Sequence, residues 1–420
     1  MSGIASILAV GTELLGTTRL DTNSLFLTGE LAALGIRVVR KACVGDAWDE
    51  LVAEIRAALE AAPLLVITGG LGPTDDDRTK EAVAHVFGRA LVRDEEILAR
   101  LVERFRKRGI TMPKVNEKQA DVIEGAVVLP NPRGSAPGYL LEAGGRTVVL
   151  LPGVPVEMKG MWTDGARPLL ARGTDGRGLH LRILKTAGLP ESLVEERAKP
   201  VYEAHPDVPF TILASPGEVL LQFAARGTKA EATELLDRLE SDFRKALGAD
   251  IFGRDEETLE GVVGDLLRTR SFTLSLAESC TGGGLAARIT DVPGSSDYFL
   301  GAAVTYANEA KREIAYVAEE TLLRHGAVSE ESAREMAAGA RRRFSSTVAL
   351  AITGVAGPGG GTPEKPVGTV HIALDAADGT RAHRKVMLPG ERAMIRRWTT
   401  ALALVLLRQY LMGRLETGRT

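Results

Sequence analysis

Short apolar runs, each followed by a glycine-bearing polar turn and a stretch of helical period, set the tightest limit on what this chain can fold into. In the first 166 residues the apolar runs fall at 4–10, 64–67 and 147–151, and helical spacing covers 23–34, 49–61, 80–87 and 95–108. Strands that alternate with helices predict a parallel sheet with helices on both faces. Ligands of such sheets bind beyond the carboxyl ends of the strands. The turns expected there are Gly11-Thr12-Glu13, the run Gly69-Gly70-Leu71-Gly72-Pro73-Thr74-Asp75-Asp76-Asp77, and Pro152-Gly153-Val154-Pro155. They are expected to meet at one edge.

The pattern breaks and then resumes. Residues 167–250 offer strands at 179–187 and 219–225 around a helix at 191–202, a second helix at 230–247, and turns at Gly188-Leu189-Pro190 and Ala214-Ser215-Pro216-Gly217. No chemically convergent residues occur there, so this block reads as a small α+β connector. From 251 onward a helix at 258–268 leads to strands at 273–277, 301–306, 348–353 and 368–374, and a last helix covers 391–412. Apolar residues on more than one face of that helix suit burial or an oligomer contact. The expected fold class is therefore two α/β domains, 1–166 and 251–420, joined by an α+β connector at 167–250. A length of 420 residues accommodates this at about 100–200 residues per domain.

Composition removes several classes of function. A formal charge of −3, with 25% charged and 45% hydrophobic residues, excludes a chain-wide electrostatic preference for nucleic acid or anionic membrane. The two cysteines, Cys43 and Cys280, cannot build a disulfide framework or a four-thiolate zinc site, and a reducing cytoplasm is the expected setting. The longest apolar run, 401–407, falls far short of the roughly 20 residues that span a bilayer. The amino-terminal segment lacks the basic start of a signal peptide and reads as a buried strand.

The run from Thr68 to Glu81 sits between a strand and a helix. Its glycines let a phosphate or pterin approach the backbone, and the helix start supplies free N–H groups. Three adjacent aspartates repel an anion, unless a divalent cation such as Mg²⁺ lies between carboxylates and a pyrophosphate. One aspartate would suffice as a helix cap, and here there are three beside several glycines.

A second constellation lies in the last block. Ser279 stands in a strand-to-helix turn followed by Thr281, Gly282, Gly283 and Gly284, where successive backbone N–H groups can point at one oxygen. No histidine lies in this segment or in the downstream glycine-bearing segments, so a Ser-His-Asp arrangement is not expected. A serine then needs another base, and a lysine serves if burial depresses its pKa. Lys311 is the candidate, since only Lys365 and Lys385 accompany it after residue 250. A lone lysine on a polar helix ordinarily faces solvent, so its burial is the question. Cys280, beside Ser279, reads as a small buried residue rather than a nucleophile.

These motifs resemble those of a known family. The glycine–aspartate run is similar to the Gly-Gly-x-Gly…Asp signature of molybdopterin-binding domains, and Leu151-Pro152-Gly153-Val154-Pro155 to that family's second signature. Gly11-Thr12-Glu13-Leu14-Leu15-Gly16, with Asp21-Thr22-Asn23, is closer to the start of the CinA competence/damage-inducible family. Glu278-Ser279-Cys280-Thr281-Gly282-Gly283, Pro293-Gly294-Ser295-Ser296, Tyr306-Ala307-Asn308 with Lys311, Gly326-Ala327-Val328-Ser329 and Thr353-Gly354-Val355-Ala356-Gly357-Pro358 resemble the nicotinamide mononucleotide (NMN) deamidase domain that forms the C-terminal part of that family.

The resemblance implies a bifunctional hydrolase. Its first block would be a metal-dependent ADP-ribose pyrophosphatase, with Asp46, Asp75, Asp76, Asp77 and Glu157 around the metal. Lys80 or Lys159 would hold charge, and Gly11, Thr12, Glu13, Asn23, Gly69, Gly70, Gly72, Gly153 and Pro155 would line the substrate site. Leu71 and the extra aspartate pair depart from the pterin binders, which favours pyrophosphate hydrolysis over pterin binding. The last block would deamidate NMN without metal or other cofactor. Ser279 would attack the amide and Lys311 would be the base, with Tyr306 polarising or relaying. The backbone at Thr281 or at Thr353-Gly354 would hold the oxyanion. Gly282, Gly283, Ser295, Ser296, Asn308 and Gly357 would line that site, and Arg392, Arg396 or Arg397 would meet the 5′-phosphate. The connector corresponds to a KH-like module, but it lacks the Gly-x-x-Gly loop with basic flanks of nucleotide-clamping KH modules, so nucleic acid is not the expected partner. A homodimer is expected, and no membrane partner. The alternative is a non-enzymatic molybdopterin- or nucleotide-binding sensor linked to competence or DNA damage.

Overall fold

The computed structural model describes residues 3–172, 176–215 and 217–415. Contacts divide it into two compact units, one formed by residues up to 181 together with 225–235, the other by 182–224 together with those from 236 onward. Most of the connector therefore groups with the C-terminal block. Pro216 of the expected turn, and the first two residues of the amino-terminal segment, lie outside the described residues.

The first unit carries β1 (Ile4–Val10), α1 (Thr22–Ala33), β2 (Arg37–Val44), α2 (Trp48–Ala61), β3 (Leu64–Thr68), α3 (Thr79–Phe87), β4 (Leu91–Arg93), α4 (Glu95–Arg106), β5 (Asp121–Ile123), β6 (Val127–Leu129), β7 (Gly138–Ala143), β8 (Arg146–Leu151), α5 (Pro155–Met161) and α6 (Arg167–Ala171). Its main sheet runs β2-β1-β3-β8-β7-β6. The first four strands are parallel, and the last two antiparallel. The all-parallel expectation is thus corrected to a mixed sheet. The glycine pair Gly144-Gly145, at positive φ, turns β7 back into β8 as a hairpin, which needs no crossover helix.

Apolar side chains cover both faces of this sheet. Leu8, Ile67, Val148 and Leu150 pack with α2 and α3 through Leu51, Ile55 and Val83. Ile7, Val66, Val149 and Leu151 pack with Leu27 and Leu31 of α1 and Met158 and Met161 of α5. Strand order reverses about β1, with β2 on one side and β3 on the other. That reversal opens a crevice at the carboxyl ends of the strands.

The connector supplies β9 (Arg177–Ala187), α7 (Glu191–Glu203), β10 (Phe210–Ser215), β11 (Glu218–Thr228), α8 (Lys229–Leu247) and β12 (Ile251–Arg254). Their sheet runs β10-β11-β9-β12. Tyr202, Phe210, Phe243 and Phe223 stack in sequence beside it. Ala214 and Ser215 belong to β10, so the expected turn begins later than its sequence suggests.

The C-terminal block carries α9 (Leu259–Thr269), β13 (Leu274–Glu278), α10 (Gly284–Thr290), β14 (Phe299–Val304), α11 (Asn308–Ala315), α12 (Glu319–His325), α13 (Glu330–Phe344), β15 (Val348–Gly354), β16 (Thr369–Ala376), β17 (Arg381–Met387) and α14 (Arg392–Leu411). The sheet order is β14-β13-β15-β16-β17; the first three strands are parallel and the last two alternate. One face is lined by Leu274, Leu276, Leu350, Ile352, Val370 and Ile372 against α9, α10 and α14. The other is alanine-rich (Ala277, Ala349, Ala351 and Ala373), which lets α13 approach closely. The run 401–407 of α14 is buried within this core. The oligomer contact expected from its apolar character is therefore not available on that run. Among the described residues no helix is long and apolar enough to cross a membrane.

Candidate active sites

In the first unit the three expected turns do converge. They line a cavity of about 480 Å³ that includes Gly11, Glu13, Asn23, Asp46, Gly69, Gly70, Gly72, Asp76, Asp77, Gly153, Pro155 and Glu157. Gly69 and Gly70 adopt positive φ, and a β-carbon on either would strike the Val10 carbonyl or Thr79 Oγ1, so the turn after β3 closes tightly on β1. Thr79 Oγ1 donates to Gly69 O at 2.9 Å from the start of α3. The carboxylates are held by hydroxyl–amide pairs. Thr12 donates to Asp46 Oδ2 from N (3.0 Å) and Oγ1 (2.7 Å), and Thr74 donates to Asp77 Oδ2 from N (3.0 Å) and Oγ1 (2.5 Å). Asn23 Nδ2 donates to Gly153 O, joining α1 to the turn after β8, while Asn23 Oδ1 is buried without a partner among the described residues.

Several expected residues fall elsewhere. Thr12 orients Asp46 but is absent from the cavity lining, and so is Asp75, which is exposed and whose carbonyl takes Arg78 Nε. Lys80 is buried, 5% exposed, and its Nζ donates to Lys118 O, so it holds the loop rather than a ligand. Burial pushes its pKa down, which also disfavours a charge-holding role. Lys159 lies on the exposed side of α5, 5.1 Å above the Phe26 ring. Neither lysine lines the cavity. The cation that does line it is Arg19, with Gln119 and Ser135 as further polar groups. Arg19 follows no pattern that marks a site in sequence.

Among the described residues no group of three or more His, Cys, Asp or Glu side chains is arranged to hold a metal ion. The five-carboxylate set expected from sequence is not assembled: Asp75 is exposed and absent from the lining, and Glu157 Oε2 accepts from Asn131 Nδ2 at 2.7 Å. The donors that remain, Asp46, Asp76 and Asp77 with Asn23 Oδ1, which has no partner among the described residues, are hard oxygens. They fit an Mg²⁺-like ion that keeps water and takes phosphate oxygens, not a protein-only cage.

In the C-terminal block Ser279 follows the last residue of β13, beside the end of β15, because Ser279 N donates to Ile352 O at 2.9 Å. Glu278, fully buried, folds forward and accepts from Leu285 N (3.1 Å) and Ala286 N (2.8 Å), tying the first turn of α10 back to the strand. Gly282 and Gly283 at positive φ make the corner. The amides of Thr281 and Gly283 carry no hydrogen bond among the described residues.

Lys311, thirty-two residues on, is 1% exposed, and its Nζ lies 3.2 Å from Ser279 Oγ. The same nitrogen donates to Thr305 O (2.9 Å) and Tyr306 O (3.1 Å). Among the described residues no carboxylate pairs with it, and burial lowers its pKa. A neutral amine has two N–H groups and one lone pair. The two carbonyls use the former, which leaves the lone pair for the serine hydroxyl. The solvent-facing reading of Lys311 is thereby overturned. The Thr281 and Thr305 hydroxyls are buried without a hydrogen-bond partner among the described residues.

The remaining expected residues divide. Arg396 holds Thr281 O from Nε and Nη2, and Arg392 bridges Gly357 O (2.9 Å) and Tyr306 Oη (3.1 Å). The Tyr306 ring is mostly exposed, so its carbonyl serves the lysine while its hydroxyl serves the arginine; the relay role expected for that hydroxyl has no support in these contacts. Arg397, one residue past Arg396, is exposed on another face of α14. Thr353 Oγ1 donates to Ala327 O, so its hydroxyl is engaged, while Gly354 ends β15 beside it. Asn308 is exposed at the start of α11. Ser295 and Ser296 precede β14, parallel to β13, and therefore lie at the amino edge of the sheet, opposite Ser279. Their expected place in this pocket is not met within one chain. Cys280 is 5% exposed, and burial pushes its pKa up to about 11, as befits a packing residue.

Fold and sites define a two-unit α/β protein with a carboxylate–glycine crevice in one unit and a serine–lysine pair in the other. Three family signatures match in order: a probable molybdopterin binding domain over residues 6–172, the damage-inducible protein CinA KH domain over 181–253, and the CinA C-terminal domain over 256–411. A CinA-like protein of Solibacter usitatus is 44% identical over 416 residues, covering 99% of this chain and 100% of that protein. A putative competence-damage inducible protein of Desulforudis audaxviator is 44% identical over 97% of this chain and 98% of its own length. A crystal structure of a competence/damage inducible protein from Agrobacterium tumefaciens is 41% identical, spans 37% of this chain and 93% of that one, and superposes with a TM-score of 0.36. The chain belongs to the CinA family.

Proposed function

We propose that this protein is a bifunctional pyridine-nucleotide hydrolase, which deamidates NMN in its C-terminal block and cleaves ADP-ribose to AMP and ribose 5-phosphate in its first unit. The observation that carries the first activity is the Lys311 amine, buried without a carboxylate, directed at Ser279 Oγ by two backbone carbonyls. Neutral Lys311 takes the hydroxyl proton as Oγ attacks the carboxamide carbon of NMN. The oxyanion meets the free amides of Thr281 and Gly283. Lys311 then returns the proton to the departing nitrogen, and ammonia leaves an acyl ester on Ser279. A water attacks that ester, Lys311 takes its proton, and nicotinic acid mononucleotide is released as the serine regains its hydrogen. Arg392 and Arg396, one helical turn apart on α14 and bonded to the carbonyls of Gly357 and Thr281, would supply the charge for the 5′-phosphate.

For the first unit, the support is the convergence of glycine turns with the oriented carboxylates of Asp46 and Asp77. These two residues would hold a divalent cation, which when bound neutralises the pyrophosphate and polarises water. Thr12 and Thr74 fix the carboxylates, Gly69, Gly70 and Gly153 admit the phosphates to the backbone, and Arg19 carries positive charge in the cavity.

Ammonia release from NMN, absent in Ser279→Ala, tests the first activity. AMP release from ADP-ribose with added Mg²⁺, absent in Asp77→Ala, tests the second. A protein that binds both nucleotides but releases neither product overturns the proposal.

A further inference from the structure

Buried serine and threonine hydroxyls of the C-terminal block are bonded almost everywhere. Ser275 meets Ser346, Ser332 donates to Gly326 O, and Thr399 donates to Ile395 O. Among the described residues of this block two threonines break the rule, Thr281 and Thr305, both fully buried. Both belong to the segments that carry the serine–lysine pair. A buried hydroxyl with no partner is a cost to the folded state. One kept beside a reacting group points to a partner that arrives with the reaction.

Thr305 is the more tightly placed of the two. Its N donates to Glu278 O at 2.8 Å, which extends the ladder between β13 and β14 past their ends. Its carbonyl accepts from Lys311 Nζ at 2.9 Å. Ala277 lies opposite Ala303 in the parallel register, so the alternation of strand side chains sets Ser279 and Thr305 side by side on the alanine-rich face. Neighbouring strands lie about 4.8 Å apart. The Thr305 hydroxyl is nevertheless bonded neither to Ser279 Oγ nor to Lys311 Nζ. Its hydrogen and its lone pairs are unused next to the atoms that react.

One participant in the deamidation has no anchor of its own. The carboxamide is placed by the nucleotide that carries it, whereas the water that cleaves the acyl ester is held by hydrogen bonds alone. We infer that Thr305 Oγ1 holds this hydrolytic water against the ester on Ser279. The inference rests on the serine–lysine reading of the site and adds a residue to it. The water gives one proton to Lys311 Nζ and points its other hydrogen at Thr305 Oγ1 while its oxygen bonds to the ester carbon. The bond from that carbon to Ser279 Oγ then breaks, and Lys311 returns the proton to Oγ. Thr305 exchanges no proton; it fixes where the water stands.

The test is Thr305→Val in the full-length protein, a change that keeps the shape and removes the hydroxyl, with Thr305→Ser as the rescue. Because the hydroxyl has no partner, the valine variant is expected to melt at the parent's temperature or above it. The expected kinetics are a kcat for NMN about 10²-fold lower, with KM falling alongside and kcat/KM retained. A burst of about one ammonia per site should precede the slow phase, with an acyl adduct on Ser279 in the mass spectrum. Serine at 305 should abolish the burst. p-Nitrophenyl acetate, which acetylates a reactive serine, reads deacylation without NMN. An unchanged kcat and no burst in Thr305→Val, in a parent that deamidates NMN, overturns the inference and leaves the deamidase standing. A burst in Thr281→Val but not in Thr305→Val, or a lowered melting temperature of Thr305→Val without a burst, overturns it as well. Slowed deacetylation of Ser279 in Thr305→Val, in a parent that releases no ammonia from NMN, upholds the inference and overturns the deamidase. A parent whose Ser279 is acylated by neither reagent overturns both.

Discussion

Among the described residues Lys311 has three hydrogen-bond partners and none is charged. Protonated, it would be an ammonium with no counter-ion in a desolvated position, so the neutral amine gains at its expense. Lys311→Arg keeps a donor but cannot supply a lone pair at any working pH, and it is expected to lower kcat for NMN by about 10²–10⁴-fold in a steady-state ammonia assay. Cys280→Ala, by contrast, is expected to retain most activity, because the thiol is buried and its pKa is raised to about 11. Iodoacetamide mapping at neutral pH should label exposed Cys43 before Cys280. At this scale the sequence was partly legible. Ser279 was visible because a strand-to-helix corner of glycines has few other uses, and Lys311 because lysine is scarce around it. Lys80 and Lys159 were misplaced because proximity in sequence to a site turn says nothing about which way a helical side chain points. Lys80 follows Thr79, whose hydroxyl braces the turn, and one residue of helix rotation is enough to carry it away.

Elements hold these side chains in place, and two carry testable cost. Glu278 satisfies two amides at the start of α10 from a fully buried position. Glu278→Ala leaves both unmet, and chemical denaturation should show a loss of about 1–3 kcal/mol. On the alanine-rich side of the sheet, His371 of β16 contacts His383 of β17 at 3.0 Å, and His383 contacts Glu330 of α13. Burial is the first cause that lowers the His371 pKa, to about 4 from 6.5, and neighbouring His383, Lys385 and Lys365 add to it against Glu330. Because the folded state resists protonation, its stability is fully present above about pH 6.5 and is lost as pH falls toward 4. A melting series over that window should decline, and His371→Gln should flatten it. The doubly buried strands β1, β3, β8, β13, β15 and β16 were all legible in sequence. β2 and β17 were not, because each is an edge strand whose arginines and lysines face outward and break the apolar run. β7 was missed for another reason: its return to β8 through a hairpin departs from the strand–helix alternation on which the expectation rested.

Across the whole molecule, each unit brings its strands' carboxyl ends to a reversal in strand order, with the Asp46–Asp77 crevice at one and the Ser279–Lys311 pair at the other. The three-block organisation could be read from the break in the alternating pattern, but the sharing of the connector between two contact units could not, since it depends on tertiary packing. If each site contains its own machinery, Ser279→Ala should leave ADP-ribose cleavage intact and Asp77→Ala should leave deamidation intact. Parallel assays of both variants with both substrates check this.

The serine–lysine pair is tested most directly by kcat/KM for NMN deamidation as a function of pH in the full chain. A rise with pH through one ionisation below 10.5, the ordinary lysine value, is expected, because only the unprotonated amine can accept the Ser279 proton. Ammonia production that persists in Ser279→Ala, or a parent profile that falls as pH rises through that range, would contradict it.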